Sequence, residues 1–443
     1  MAERNTNIHR SRTGFRDEDG PWYALDNAGI IMPAVSNSVS TSLFRISAGL
    51  DEPVNLAALQ EALDRCVRRF PYFVVELRRG FFWYYLEPHE ARLRVQADAV
   101  SPSQDFNINR RGTCLFRVRA RGSRIACEFS HALSDGTGGL RFLKNLLVEY
   151  FRIRGVPVRG AAEDPDLYDL DAGPDAREYE DAYNRHFTAG YPSPPPLPRA
   201  FHLVSPQLPR GSYRVTCGVV PLAAALAAAR GYGASLTELL AAVFLDALQD
   251  LWLAAPAGLR RRRPRLAVEV PVNMRKFYPT ATNRNFSLFV LVTQDMRLGK
   301  RDFAEIVSRA HHQLRFETDA RTIAQQISRN VAGARKLAVR LVPLVVKDFF
   351  AKLLFSALGE DLLSGFVSNL GPVALPEGPA EHVERFDFLP APSVFNKTSA
   401  SVVSWGGSLY INFGSLARSR EMERLYFTRL RSLGLPVRIE CNL

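Results

Sequence analysis

The chain has 443 residues, 47% of them hydrophobic and 23% charged, a globular composition that excludes disorder, collagen and a small disulfide scaffold. Its 57 Lys and Arg against 45 Asp and Glu give +12, a balance that attracts nucleic acid, a membrane surface or phosphate-bearing small molecules without choosing among them. Five scattered cysteines (Cys66, Cys114, Cys127, Cys217, Cys441) lack CxxC spacing, which argues against a zinc site or disulfide framework and fits a reducing cytoplasm.

The length predicts two or three domains. Residues 1–16 are polar with charges of both signs and lack a signal-peptide core. A strand is expected over 40–50, then an amphipathic helix over 55–70 with Leu59, Leu63, Cys66 and Val67 on one face. Short strands follow over 73–77, 81–86 and 93–97, and a hairpin over 114–120 and 124–130 turns at Arg121-Gly122. Apolar residues at helical spacing from Leu140 to Phe151 predict a helix. This first half, 1–154, reads as an α/β sandwich with a mixed or antiparallel sheet.

Composition shifts over 155–211. Residues 161–186 hold nine acids against two arginines, a net charge of −7 that leaves +19 on the rest. Pro192, Pro194, Pro195, Pro196 and Pro198 then form a stiff spacer, so this stretch is expected to be a crossover linker. The second half, 212–443, opens with a strand over 213–219 and a helix whose first turn holds Pro221. Ser235 and Glu238 form a capping-box pattern before an apolar helix over 236–253. Strands are expected over 266–272 and 286–293, a helix over 302–315, and strands over 365–369, 399–404, 409–413 and 437–441. No run of about 18 uncharged apolar residues reads as a transmembrane helix. A soluble cytoplasmic protein is expected.

The sharpest local feature is Ser130-His131-Ala132-Leu133-Ser134-Asp135-Gly136-Thr137-Gly138-Gly139. A strand runs into a histidine, then an Asp-Gly turn, two more glycines and a helix. Glycine admits close approach of a backbone or ligand. An imidazole at a strand end titrates near neutrality and can take a proton from a nucleophile. The same residues also suit an ordinary turn, and context favours the functional reading, because a strand feeds the histidine and an apolar helix follows.

His131-x-x-x-Asp135-Gly136, after a strand and before a helix, resembles the HxxxDG signature of the chloramphenicol acetyltransferase-like acyltransferases, which include peptide-synthetase condensation domains. Trp22-Tyr23-x-Leu25-Asp26 and Arg79-Gly80-Phe81-Phe82-Trp83-Tyr84-Tyr85 look like the bacterial alcohol-acetyltransferase branch. Val270-Pro271-Val272-Asn273-Met274-Arg275, Asn285-Phe286-Ser287 and Ser368-Asn369-Leu370-Gly371 are similar to condensation-type segments. Ser130 stands where condensation domains usually carry a second histidine, and the plant DFGWG motif is absent.

The resemblance implies two similar α/β sandwich domains around a central tunnel, with His131 as general base at its middle. Acyl-CoA would serve as co-substrate, not as a permanently bound cofactor, and an alcohol as acceptor. It further implies that Asp135 is structural, that Gly136 is the close-approach glycine, and that Arg275 is a partner for Asp135 in preference to a ligand contact. No metal is implied. Rival readings are an acyl-carrier-protein-dependent tailoring acyltransferase and a condensation-like binding domain without turnover. Arg260-Arg261-Arg262-Arg263-Pro264-Arg265 reads as a solvated loop without a nucleic-acid signature. The basic amphipathic stretch 323–358, broken at Pro343, reads as helix packed on a core, with peripheral membrane contact as the alternative.

Overall fold

Strand Leu43–Leu50 is buried along nearly its whole length because it has a neighbour on each side and cover on both faces. In this computed structural model, which describes residues 16–17, 20–37, 39–192, 197–358, 360–394 and 396–442, it lies second in a five-stranded sheet. The order is Val383–Leu389, Leu43–Leu50, Arg124–Ser130, Phe116–Arg121, Gln96–Ala97, and only the last pairing is parallel. Residues 1–15, Pro194, Pro195, Pro196 and the Lys352 side chain lie outside the described residues.

Helix Leu56–Arg69 starts where Asn55 Oδ1 accepts the Ala58 amide at 3.0 Å, and it buries Leu59, Leu63 and Cys66. The expected hairpin turns at Gly122, whose φ of +58° lies in the left-handed region. Tyr84–Pro88 and Val75–Arg79 pair with each other beside Tyr23–Ala24 in a separate three-stranded sheet. Helix Gly136–Ile153 begins four residues before the apolar periodicity does, because Asp135 caps it.

The second sheet has seven strands, ordered Ser287–Asp295, Arg265–Asn273, Gly365–Pro372, Thr398–Trp405, Ser408–Ser415, Arg214–Pro221, Arg438–Cys441. Gly365–Pro372 pairs in parallel on both sides, so the sheet is mixed. Helix Leu236–Ala254, with both arms of its capping box formed, is buried against it and against helix Glu421–Ser432. Fold class is therefore two-lobed mixed α/β, with lobes of unequal sheet size.

Four expectations change. Strand Val383–Leu389, unmarked in the sequence reading, leaves the 212–443 half and joins the first sheet along Leu43–Leu50. Trp405 Nε1 donates to Val383 O at 2.8 Å, which also holds that strand to the second lobe. Helix Glu421–Ser432 was hidden by its charge density. Arg260, Arg261 and Arg262 sit in the short helix Ala257–Arg262, not in a loop. The acidic stretch is strapped to the first lobe: buried Glu178 accepts from Arg69 at 2.6 and 2.8 Å and from Tyr72 at 2.6 Å. Asp164 and Asp166 pair with Lys144, and Asp166 with Arg141. In the stretch expected to be a crossover linker, these carboxylates are counter-ions for cations on helices Leu56–Arg69 and Gly136–Ile153.

Candidate active site

The strand Arg124–Ser130 delivers His131 to a turn fixed from four directions. The His131 amide donates to Ser42 O at 3.0 Å, and Ser42 takes φ +55°, a left-handed conformation unusual for a residue with a Cβ. Buried Ser130 shares a 3.2 Å hydroxyl contact with Ser42 and accepts the Ala132 amide, so it faces into the turn. Asn285 Nδ2 donates to His131 O at 2.9 Å. Ser134 Oγ donates to Asn283 O at 2.6 Å. The last two contacts bring the 283–285 segment of the second lobe onto a turn of the first.

Asp135 is buried and fully occupied. Oδ1 accepts the Gly138 amide at 3.1 Å, while Oδ2 accepts Arg275 Nη1 at 2.8 Å and the Phe286 amide at 2.9 Å. Burial alone would raise its pKa, but the Arg275 charge and these hydrogen bonds outweigh it and hold the carboxyl below its ordinary value. Every nitrogen of Arg275 already donates within the protein. Nε donates to Thr282 O, Nη1 to Asp135 and Asn273 Oδ1, and Nη2 to Arg284 O. Asn273 also reaches across to Thr137 Oγ1 at 3.2 Å.

The glycines answer to particular neighbours. A Cβ on Gly138 would sit 2.2 Å from both Asn283 O and Ser134 Oγ. A Cβ on Gly139 would sit 2.9 and 3.0 Å from the rings of Phe44 and Phe129, well inside van der Waals contact. Gly136 is less crowded, with Leu370 and Phe388 at 3.2 and 3.3 Å from the place of a Cβ. It is the point where the 368–371 segment and strand Val383–Leu389 meet the turn.

His131 itself is half-buried, with the Phe44 ring 4.6 Å from its own. Burial pushes the imidazole below its ordinary pKa, against the Asp135 charge and hydrogen bonds to the Asn285 side chain and Ser134 backbone. At neutral pH it is therefore the free base, the form that accepts a proton. Among the described residues no group of three His, Cys, Asp or Glu could hold a metal.

Three contributors escaped the sequence reading as site residues. Asp26, buried, accepts the Gly29 amide at 2.7 Å and Asn285 N and Nδ2 at 3.1 and 2.8 Å. Burial, with the Asp181 charge, pushes its carboxyl up to about 7 despite those three donors. Asn285 thus links Asp26 to the His131 carbonyl. Arg284, the largest fully buried side chain, donates from Nη1 to Leu133 O at 3.4 Å. The available signal was their place beside motifs already marked, Trp22 to Asp26 and Asn285 to Ser287.

The arginine-rich depression lined by Arg199, Arg262, Arg265 and Arg297, about 480 Å³, opens at the other end of strand Arg265–Asn273 from Asn273. At about 3.3 Å per residue this is roughly 26 Å away. It takes no part in the His131 geometry.

No family model and no curated protein matches the chain. Solved structures share its fold. The F. sporotrichioides protein TRI101 complexed with coenzyme A and T-2 has a TM-score of 0.61 at 13% identity, over 90% of this chain and 96% of that one. A mutant starter condensation domain of rhizomide synthetase RzmA in complex with C8-CoA gives 0.57 at 12%, over 93% and 94%. Polyketide synthase associated protein 5 from Mycobacterium tuberculosis gives 0.54 at 14%, over 88% and 93%. The chain thus shares the two-lobed fold of these structures.

Proposed function

We propose that the protein is an acyltransferase that moves a short acyl group from acyl-CoA to an alcohol hydroxyl. The observation that carries this reading is the half-buried His131, kept neutral and held in place by Ser42, Asn285 and the capped Asp135 turn. The fold likeness to TRI101 complexed with coenzyme A supports the donor class. His131 takes the proton from the acceptor hydroxyl as its oxygen attacks the thioester carbonyl. The tetrahedral oxyanion collapses to the ester and breaks the C–S bond, and His131 gives its proton to the departing CoA thiolate. In this reading His131 lies along a tunnel between the lobes, entered by donor and acceptor from opposite faces. Asp135 and Arg275 position the turn and touch neither substrate, and Gly136 gives close approach. Cytoplasmic residence and the division at 154 and 211 belong to the same proposal. No described helix is long and apolar enough to cross a membrane.

The likeness to polyketide synthase associated protein 5 and to a condensation domain favours one second reading, the same chemistry with an acyl carrier protein as donor. Acetyl-CoA with a panel of alcohols, assayed for free thiol, tests the first. Thiol release only from a loaded carrier protein selects the second. Release from neither donor leaves a binding domain without turnover.

A further inference from the structure

Twenty-two large hydrophobic side chains are exposed among the described residues, and nine of them fall in the two segments 81–83 and 337–350. Phe81 is 71% exposed, Leu337 69%, Val345 68% and Phe349 63%. Of the stretch 323–358 that the periodicity assigned to a core, helix Ala320–Arg335 buries Ile323, Ile327 and Val331, and beyond it only Leu344 is buried among the described side chains. Helix Leu337–Arg340 buries no residue at all.

These segments form one built face. The Leu344 amide donates to Phe81 O at 2.8 Å, Lys347 Nζ to Phe82 O at 2.8 Å, and the Tyr84 hydroxyl to Asp348 Oδ2 at 2.7 Å. The aromatic turn is thereby fixed to helix Leu344–Leu358. Met32–Val35 packs on the same helix. Cations crowd the apolar residues: Arg335, Lys336, Arg340 and Lys347 against one carboxylate, Asp348, which Tyr84 and Arg79 already hold.

We propose that this face docks the protein on an anionic lipid surface. A contiguous apolar patch of this size marks an interaction site. Phe, Trp and Leu side chains with a rim of Lys and Arg suit the boundary between headgroups and acyl chains. The charge argues against the simplest alternative. In a twofold contact between two copies, each cationic face would meet its own like charges. An anionic membrane supplies the opposite sign, at roughly 1 kcal/mol for each basic residue near it. The proposal does not depend on the acyltransferase reading.

Co-sedimentation of the full-length protein with vesicles of phosphatidylcholine alone, or with phosphatidylglycerol added, tests it. Binding is expected only with phosphatidylglycerol, with a blue shift of Trp83 emission lost in Trp83→Ser, and weakening toward high salt. Leu341→Asp with Phe349→Asp should abolish binding at an unchanged melting temperature. Lys336→Gln with Arg340→Gln should weaken it about thirty-fold, as expected for two lost contacts of that size. Wild-type protein that stays in the supernatant with anionic vesicles at low salt overturns the proposal. So does a dimer, seen by light scattering, that the Leu341→Asp, Phe349→Asp variant splits, or binding that ignores vesicle charge.

Discussion

Replacing Asp135 by Asn keeps its shape and removes its charge. One carboxylate oxygen caps the helix at Gly138 and the other receives Arg275 and the Phe286 amide. An amide has one acceptor oxygen, so its NH2 must face donors on one side. Uncompensating a buried charge costs about 3–5 kcal/mol. Arg275 keeps acceptors at Thr282, Asn273 and Arg284, and Asn caps about as well as Asp, so the low end, about 3 kcal/mol, applies. For 443 residues at about 2 cal/mol/K each, that loss lowers the melting temperature by roughly 3 °C. The sign with pH follows from the lowered Asp135 pKa. The stabilisation is full above the unfolded carboxylate value near 4 and disappears as pH falls through the folded value. Melting of both proteins across pH 3–8 should therefore show a gap that is constant above about pH 5 and closes in acid. Turnover should fall as the His131 turn loosens, while acyl-CoA affinity holds within about twofold. An unchanged melting temperature together with collapsed CoA affinity would mean that the carboxylate contacts substrate, and the positioning role would be refuted.

His131→Ala should lower kcat by about 10²–10⁴ with fold and acyl-CoA affinity kept, by circular dichroism and calorimetry; near-wild-type turnover would remove the proposed base. Because the His131 pKa is lowered, kcat/KM should rise with pH and pass its half-maximum below the ordinary imidazole value of about 6.5, and a half-maximum between pH 7 and 8 would contradict that environment. Gly138→Ala should unseat the Ser134–Asn283 contact and abolish activity, whereas Gly173→Ala, with nothing within 4 Å, should be neutral in a thermal melt. Asp26, with its folded pKa raised to about 7, binds a proton that the unfolded chain has released above about pH 4. Stability should therefore decline from pH 4 toward 7, and that decline should vanish in Asp26→Asn, as urea unfolding across this range would reveal.

Local chemistry made the reaction turn legible. A strand, a histidine, Asp-Gly and an apolar helix are contiguous from Arg124 to Ile153, and each obeys a short-range rule. The Asp135–Arg275 pair spans 140 positions and was legible only through resemblance. Asp26 and Arg284 were not legible, because nothing in a charged residue announces that it will be buried among partners 259 and 151 positions distant. Helix Glu421–Ser432 did carry a stripe, Met422, Tyr426 and Leu430, which its charges obscured. The basic amphipathic stretch misled in the opposite direction. Its period was helical, but period does not say whether protein or something else covers the apolar side.

Strand Val383–Leu389 sets a schedule for synthesis. Its partner Leu43–Leu50 is made about 340 residues earlier, so at roughly 5–20 residues per second the ribosome needs about 20–70 s to supply the missing edge. Throughout that interval the strand carrying Leu43, Phe44 and Ile46 has an open side, an invitation to pair with any other nascent chain. Chains arrested before residue 383 should thus be cut by protease within 43–50, and chains arrested beyond the ribosomal exit of residue 389 should resist. Equal resistance at both lengths would show that the first lobe closes without its borrowed strand.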